Sequence, residues 1–372
     1  MTKRAALAAL LLLAFWTVPA AARAITVANV ADILTALQHA QPGDVITIAP
    51  GKYVLPAIRL HHGGTRGHPI VLRARRLGDV TLTTMATEFI KVAASDWVFE
   101  NLDIAGTCAT DTDCEHAFHI VNGADRVVIR HNRIHDFNAH IKGNGEGRRF
   151  PDDVRIEGNW LFGTHVRHTD NPIAPIDVVG GKRWVVRDNL IADYGKTFDH
   201  PATRTDDFGY ALFFKGNSSG TLIERNVVLC ADRLPHQPYT RGLSLGGSAT
   251  GPQFCEGTCD KDENRDSTIR NNVVLACPGE PGIYLFRATH ARATDNILIG
   301  TGGIVAAAPD TSAIVTNNML AGGDIVAQVG AHLDLGHGVH SRNQTNAAPP
   351  AFAGQRITAY RAYWDALEKP KK

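Results

Sequence analysis

The hexapeptides IRHNRI at 129–134, IEGNWL at 156–161, VRDNLI at 186–191, IERNVV at 223–228 and IRNNVV at 269–274 hold Asn in one frame, with an apolar residue three positions before it and another two after. Weaker copies are VFENLD at 98–103, ATDNIL at 293–298 and VTNNML at 315–320. The successive residues Asn101, Asn132, Asn159, Asn189, Asn226, Asn272, Asn296 and Asn318 lie 22 to 46 positions apart, the spacing of a solenoid whose coils carry loops of unequal length. Scattered turns in a β-sandwich do not keep one residue at one phase so many times. Asn tolerates the left-handed region better than any side chain except Gly, so each copy reads as a sharp bend with Asn at positive φ. Stacked at the ~4.8 Å strand spacing, the amides can also hydrogen-bond from coil to coil.

The rest of the chain agrees with a stacked β array. A solenoid runs to 372 residues as a single domain without strain on size rules, and 35 Gly with 3 Met suit a turn-rich β protein. Residues 1–24 stand apart: Lys3 and Arg4 precede an apolar run from Ala5 to Trp16, and Ala22-Arg23-Ala24 supplies a small-x-small cleavage pattern. The expectation is a secretory leader over 1–24, no membrane span, and a secreted or periplasmic domain over 25–372, with coils over about 44–330 and a tail over 331–372. Without Lys3, Arg4 and Arg23 the chain has 35 basic against 37 acidic residues, a balance that does not mark a nucleic-acid binder. Export makes a disulfide reading natural: Cys108 with Cys114, Cys255 with Cys259, and Cys230 with Cys277, the last two being four and five residues beyond Asn226 and Asn272 on neighbouring coils. A zinc site would want tighter ligand spacing than these cysteines show.

Residues 29–74 carry ADILTALQHAQPGDVITIAPGKYV and then HPIVLRA, an amphipathic helix of about ten residues followed by a PGD turn and two short strands. The helix would cover the apolar end of the solenoid. This segment resembles the N-terminal cap of right-handed parallel β-helix proteins of the pectate lyase-like superfamily, most closely those like chondroitinase B and the related alginate lyases. The resemblance implies an all-β, right-handed parallel β-helix with an N-terminal capping helix. It is specific for fold and weak for activity, because one scaffold hosts lyases, hydrolases, epimerases and non-catalytic proteins. A second helix is expected at 358–369, TAYRAYWDALEK, packed on the coil surface.

Alternation phases each coil further. Aligned on inward apolar positions, Phe118, Ile141, Ile176, Leu212, Leu243, Ile283 and Ile304 form one buried stack, and Ile120, Val178, Phe214, Leu245 and Leu285 a second. The outward column between them reads His119, Lys142, Asp177, Phe213, Ser244, Tyr284 and Val305, with His140, Asn144 and Lys215 two residues to either side. Neighbouring coils bring these charges close enough to form either a local site or a cross-strand ladder such as Lys142 with Asp177.

Eliminative cleavage of a uronic acid polymer needs a cation for the carboxylate, a base for the adjacent C–H proton and a proton donor for the leaving oxygen. Lys142 is the candidate base or carboxylate neutraliser, His119 and His140 the candidate proton shuttle, Asp177 the group orienting Lys142, and Lys215 a carboxylate binder. Arg241 is a further cation, and Phe213 and Tyr284 are rings on which a sugar can stack. Hydrolysis asks for two opposed carboxyls, and Asp177 is the one acid of the column, although Asp206 and Asp207 could lean in from a loop. The resemblance implies a Lys base, a nearby Arg and a calcium held by Asn and a Glu-x-Glu pair, but no Glu-x-Glu occurs here. Asp260, Asp262, Asn264 and Asp266 alternate like the start of an EF-hand loop without its Gly and terminal Glu, so calcium is possible and no cofactor is certain. The expected ligand is an acidic polysaccharide and the expected state a monomer. A non-catalytic carbohydrate-binding or envelope protein and a C5-epimerase remain alternatives.

Overall fold

A computed structural model describes residues 22–202, 207–336, 342–346 and 355–368; residues 1–21 of the expected leader, and Asp206, lie outside them. Three long sheets of 12, 10 and 10 strands run the length of the molecule, and every pairing in them is parallel. The chain visits the three in rotation, as in Val45–Ile48 of the first sheet, Gly51–Val54 of the third and Ile58–Leu60 of the second, before rejoining the first at Ile70–Arg73. The fold is a right-handed parallel β-helix, the hand that a right-twisted strand imposes on parallel crossovers.

The expected stacks are in register. Phe118, Ile141, Ile176, Leu212, Leu243, Ile283 and Ile304 pair successively, and all are fully buried. Their lining is one continuous core, so each coil is stabilised by its two neighbours.

The Asn column is a buried ladder. In each step the backbone N–H and side-chain amide of one Asn donate to the Oδ1 of the next, through Asn132, Asn159, Asn189, Asn226, Asn272, Asn296, Asn318 and Asn343. Two details correct the sequence reading. Positive φ falls on the residue before every rung from Asn132 to Asn318, as at His131, Asp188, Arg225, Asn271, Asp295 and Asn317, so the ladder Asn serves as an internal hydrogen-bonding group while its neighbour makes the bend. Asn101 sits in that bend slot with φ 60°, and Leu102 takes the rung, its N–H donating to Asn132 Oδ1 at 2.9 Å.

Helix α1, Val30–His39, is capped by Asn29, whose side chain accepts from the Asp32 N–H at 2.9 Å. It inserts Ile33 and Leu37 into the core beside the first strands of the solenoid. Helix α2, Gln355–Glu368, lays Ile357, Tyr360 and Trp364 over Phe162, Leu190, Ala192, Val227 and Leu229, outward residues of the third sheet that would otherwise face water. The Tyr360 hydroxyl donates to Asp193 Oδ2 at 2.7 Å. The disulfides are Cys108–Cys114, Cys230–Cys277 and Cys255–Cys259, as the spacing predicts.

Candidate functional site

The second sheet, from Ile58–Leu60 to Asp324–Ala327, carries the polar column, and its strands enter with a local break in alternation. Two successive residues turn inward at that point: Phe89 and Ile90, Ala117 and Phe118, His140 and Ile141, Ala211 and Leu212 are all buried. Residues that share the open face are therefore three apart, giving Glu88 with Lys91, His116 with His119, and Tyr210 with Phe213. Simple alternation missed this. It placed His140 outward, whereas His140 is buried and its Nε2 donates to the Phe162 carbonyl at 3.0 Å. Burial lowers the His140 pKa to about 3, which keeps the ring neutral.

Over this face lies a cleft of about 450 Å³ lined from the strands by Lys142, Asn144, Asp177, Tyr210, Phe213 and Lys215. Its walls include Phe150 and Phe208 on one loop set and Ser248, Thr250 and Phe254 on another. The second wall is anchored by buried Glu263, which accepts from Gly216 N at 2.9 Å and from Thr250 N and Oγ1 at 2.6 Å each. Cys255–Cys259 closes a turn of the same loop. Beneath the cleft, Gly143 has no side chain because the Trp184 ring fills that space; a Cβ there would lie 2.5 Å from Trp184 Cη2.

Inside the cleft Lys142 Nζ donates to Asp177 Oδ2 at 2.6 Å. Lys215 Nζ, two rungs along, lies 3.2 Å from Ser248 Oγ and 5.0 Å from the Phe213 ring centroid. The Tyr210 hydroxyl donates to the Gly247 carbonyl at 3.1 Å and accepts from Arg241 Nη1 at 2.9 Å. Burial raises the Tyr210 pKa to about 12, so the phenol carries its proton at neutral pH. Arg241 does not reach out as a lone cation: it is paired with Glu280 at 2.9 Å, stacked 3.6 Å from the Phe208 centroid and 4.5 Å from that of Tyr284. Tyr284 is thus covered by Arg241, while Phe213 forms part of the cleft floor.

His119 stands beside the cleft, its Nδ1 2.7 Å from Glu88 Oε1 and its Nε2 2.6 Å from Asn144 Oδ1. The acidic run does not converge on a cation. Asn264 is buried and donates to Ser218 Oγ at 2.8 Å, Asp266 meets exposed His290 at 3.2 Å, and Asp262 faces Arg265 at 4.0 Å. Alternation looked like ligand spacing there because Asn264 belongs to a short extra ladder of Ser218–Ser219, Asn264–Arg265 and Ala288–Thr289. Among the described residues one group of His, Cys, Asp or Glu side chains could hold a metal ion, Glu88 with His116 and His119. Sequence reasoning missed Glu88, His116 and Tyr210; the signal available was the recurrence of a large polar residue three positions before the outward column.

No family model matches the sequence, and no curated protein matches it. Solved structures do. An alginate lyase from Paenibacillus sp. str. FPU-7 superposes with a TM-score of 0.56 at 16% identity, covering 87% of this chain and 99% of that one. The alginate lyase AlyF-OU02, solved with G6, gives a TM-score of 0.49 at 13% identity over 87% of this chain and 63% of its own. A PL6 family alginate lyase, AlyGC, gives 0.41 at 15% identity over 89% and 53%. The chain therefore spans about half to two thirds of those two longer proteins, and the likeness to the first establishes the parallel β-helix fold.

Proposed function

We propose that this protein is a polysaccharide lyase that cleaves a uronic acid-containing polymer by β-elimination. One observation carries the reading: a charged amine fixed by a carboxylate, a second amine and a protonated phenol line one cleft. Lys142, held by Asp177 at 2.6 Å, is placed to neutralise the substrate carboxylate and acidify the adjacent C–H. Lys215, the other lysine lining the cleft among the described residues, takes that proton in its unprotonated amine form; Tyr210, held by Arg241, gives its proton to the departing glycosidic oxygen. The electron pair of the C–H bond becomes the new C=C bond as the C–O bond breaks. Phe213 offers an apolar floor for a sugar ring.

Among the described residues Asp177 is the single carboxylate lining the cleft, one short of the two that hydrolysis uses and fewer carboxylates than a calcium ion bridging the substrate usually draws on. The reading accordingly gives Lys142 the role of that ion. Three disulfides fit an oxidising compartment, hence secretion or the periplasm. No helix of the described residues is long and apolar enough to cross a membrane.

The test is incubation of purified protein with alginate, pectate and glycosaminoglycan polymers while following the ultraviolet absorbance of unsaturated products. Alginate stands first because the similar Paenibacillus protein is named as its lyase. Polymer binding without unsaturated product, on every member of the panel, would move the assignment to a carbohydrate-binding protein.

A further inference from the structure

We propose that Glu88, His116 and His119 bind a divalent transition metal of the zinc class beside the cleft. Glu88 and His116 are paired across the adjacent strands Glu88–Val92 and His116–Ile120, and the inward turn of two consecutive residues puts His119 on the same face. Ligand atoms of the three side chains lie within 4.8 Å of one another. Tetrahedral zinc with bonds of about 2.0–2.2 Å holds its ligands about 3.3–3.5 Å apart, so small side-chain rotations bring this set to coordination distance. Two imidazoles and a carboxylate make a three-ligand set with a fourth position open to water or a substrate oxygen, and nitrogen donors disfavour calcium and magnesium.

Three further observations fit a metal better than a plain hydrogen-bonded cluster. His119 is already oriented as a ligand: with Nδ1 turned to Glu88, its Nε2 is held by Asn144 Oδ1 at 2.6 Å, the outer-shell contact that fixes the tautomer of metal-bound histidines. His116 packs edge-on against His119, ring centroids 5.0 Å apart, and its Nδ1 is buried without a hydrogen-bond partner. A simple Glu88–His119 pair leaves His116 unexplained. Glu88 divides its oxygens, Oε2 lying 3.3 Å from Lys91 Nζ and Oε1 facing His119, so one oxygen can ligate while the other keeps its ion pair. His119 pairs directly with Lys142 in the next strand, which places the ion one rung from the proposed carboxylate neutraliser.

The experiment is calorimetric titration of the chelator-stripped protein with zinc chloride, repeated with cobalt(II) to read coordination geometry from the visible spectrum. Wild type is expected to bind one equivalent of zinc and to give a tetrahedral cobalt spectrum. His116→Ala and Glu88→Gln should each weaken zinc at least ~100-fold, and Asn144→Ala about 10–100-fold as an outer-shell loss. Melting curves identify any variant that fails to fold; Glu88, the more exposed of the two ligands, then decides. Absence of zinc uptake by wild type, or equal affinity in wild type and Glu88→Gln, would overturn the site. Because the readout is metal binding, the result stands apart from whether a uronic acid polymer is cleaved.

Discussion

Lys142 Nζ meets Asp177 Oδ2 at 2.6 Å across adjacent rungs, while Asp177 Oδ1 is buried with no hydrogen-bond partner of its own. A carboxylate so placed depends on its lysine. Lys142→Ala should therefore reduce turnover by at least ~100-fold and also lower the melting temperature, since it strands a largely buried charge. Lys142→Ala/Asp177→Ala removes both charges and should regain most of the stability while staying inactive. Recovery of activity in the double variant would show that the pair only braces the strands.

Tyr210→Phe keeps the ring against Phe213 and Arg241 and deletes the proposed proton donor. Its kcat should fall about 100-fold with KM changed little. A polymer bearing a better leaving group at the cleaved bond should narrow the gap, because proton donation then matters less. Equal kcat in wild type and variant would remove Tyr210 from the mechanism.

Acid should weaken the fold through His140. Its pKa is about 3 in the folded protein against ~6.5 in the unfolded chain, so between these values the unfolded state binds a proton that the folded state does not. Stability is fully present above ~6.5 and falls as pH is lowered toward 3, by about 1.4 kcal/mol at most for each pH step of one. Glu88 and Asp136, both lowered to about 2, add loss in the same direction further down. Urea unfolding at pH 7 and pH 4.5 should show a smaller difference in His140→Gln than in wild type. An unchanged difference would place the acid sensitivity elsewhere.

The Arg23–Asp44 pair bears on processing. Asp44 is 1% exposed, and its carboxylate accepts from Arg23 N, Arg23 Nε and Gln41 N at 3.0, 3.1 and 2.7 Å. The Arg23 guanidinium holds the Asp44 pKa below the usual carboxylate range. Cleavage after Ala24, which the small-x-small pattern suggests, would discard Arg23 and shorten the first strand, Ala24–Val27. Intact mass of the protein recovered from expressing cells should show any processed chain retaining Arg23. A chain starting at Ile25 would refute this.

What the sequence made legible followed from strict periodicities. Seven inward residues from Phe118 to Ile304 were placed in one stack because a side-chain period of two and a core that excludes charge leave one register. The Asn repeat marked eight successive coils but blurred the bend by one residue, since Asn suits both a left-handed bend and a buried ladder, and Asn101 does one while Asn132 does the other. Asn343 escaped notice because no apolar hexapeptide surrounds it. The cleft was legible at Lys142, Asp177, Phe213 and Lys215, which lie beyond the break in alternation, and not at Tyr210, which lies before it; His140, at the break itself, was turned the wrong way.

Helix α2 gives the chain a direction in time. Coils can stack one upon another in chain order as the chain folds, each finding its partner already in place. The strip formed by Phe162, Leu190, Val227 and Leu229 has no such neighbour until Tyr360 and Trp364 arrive with the last residues. Until then a finished solenoid still shows water a greasy flank, the kind of surface on which half-made chains adhere to one another. The tail works as a closing seal, and how fast it docks sets how long the newly made molecule remains sticky.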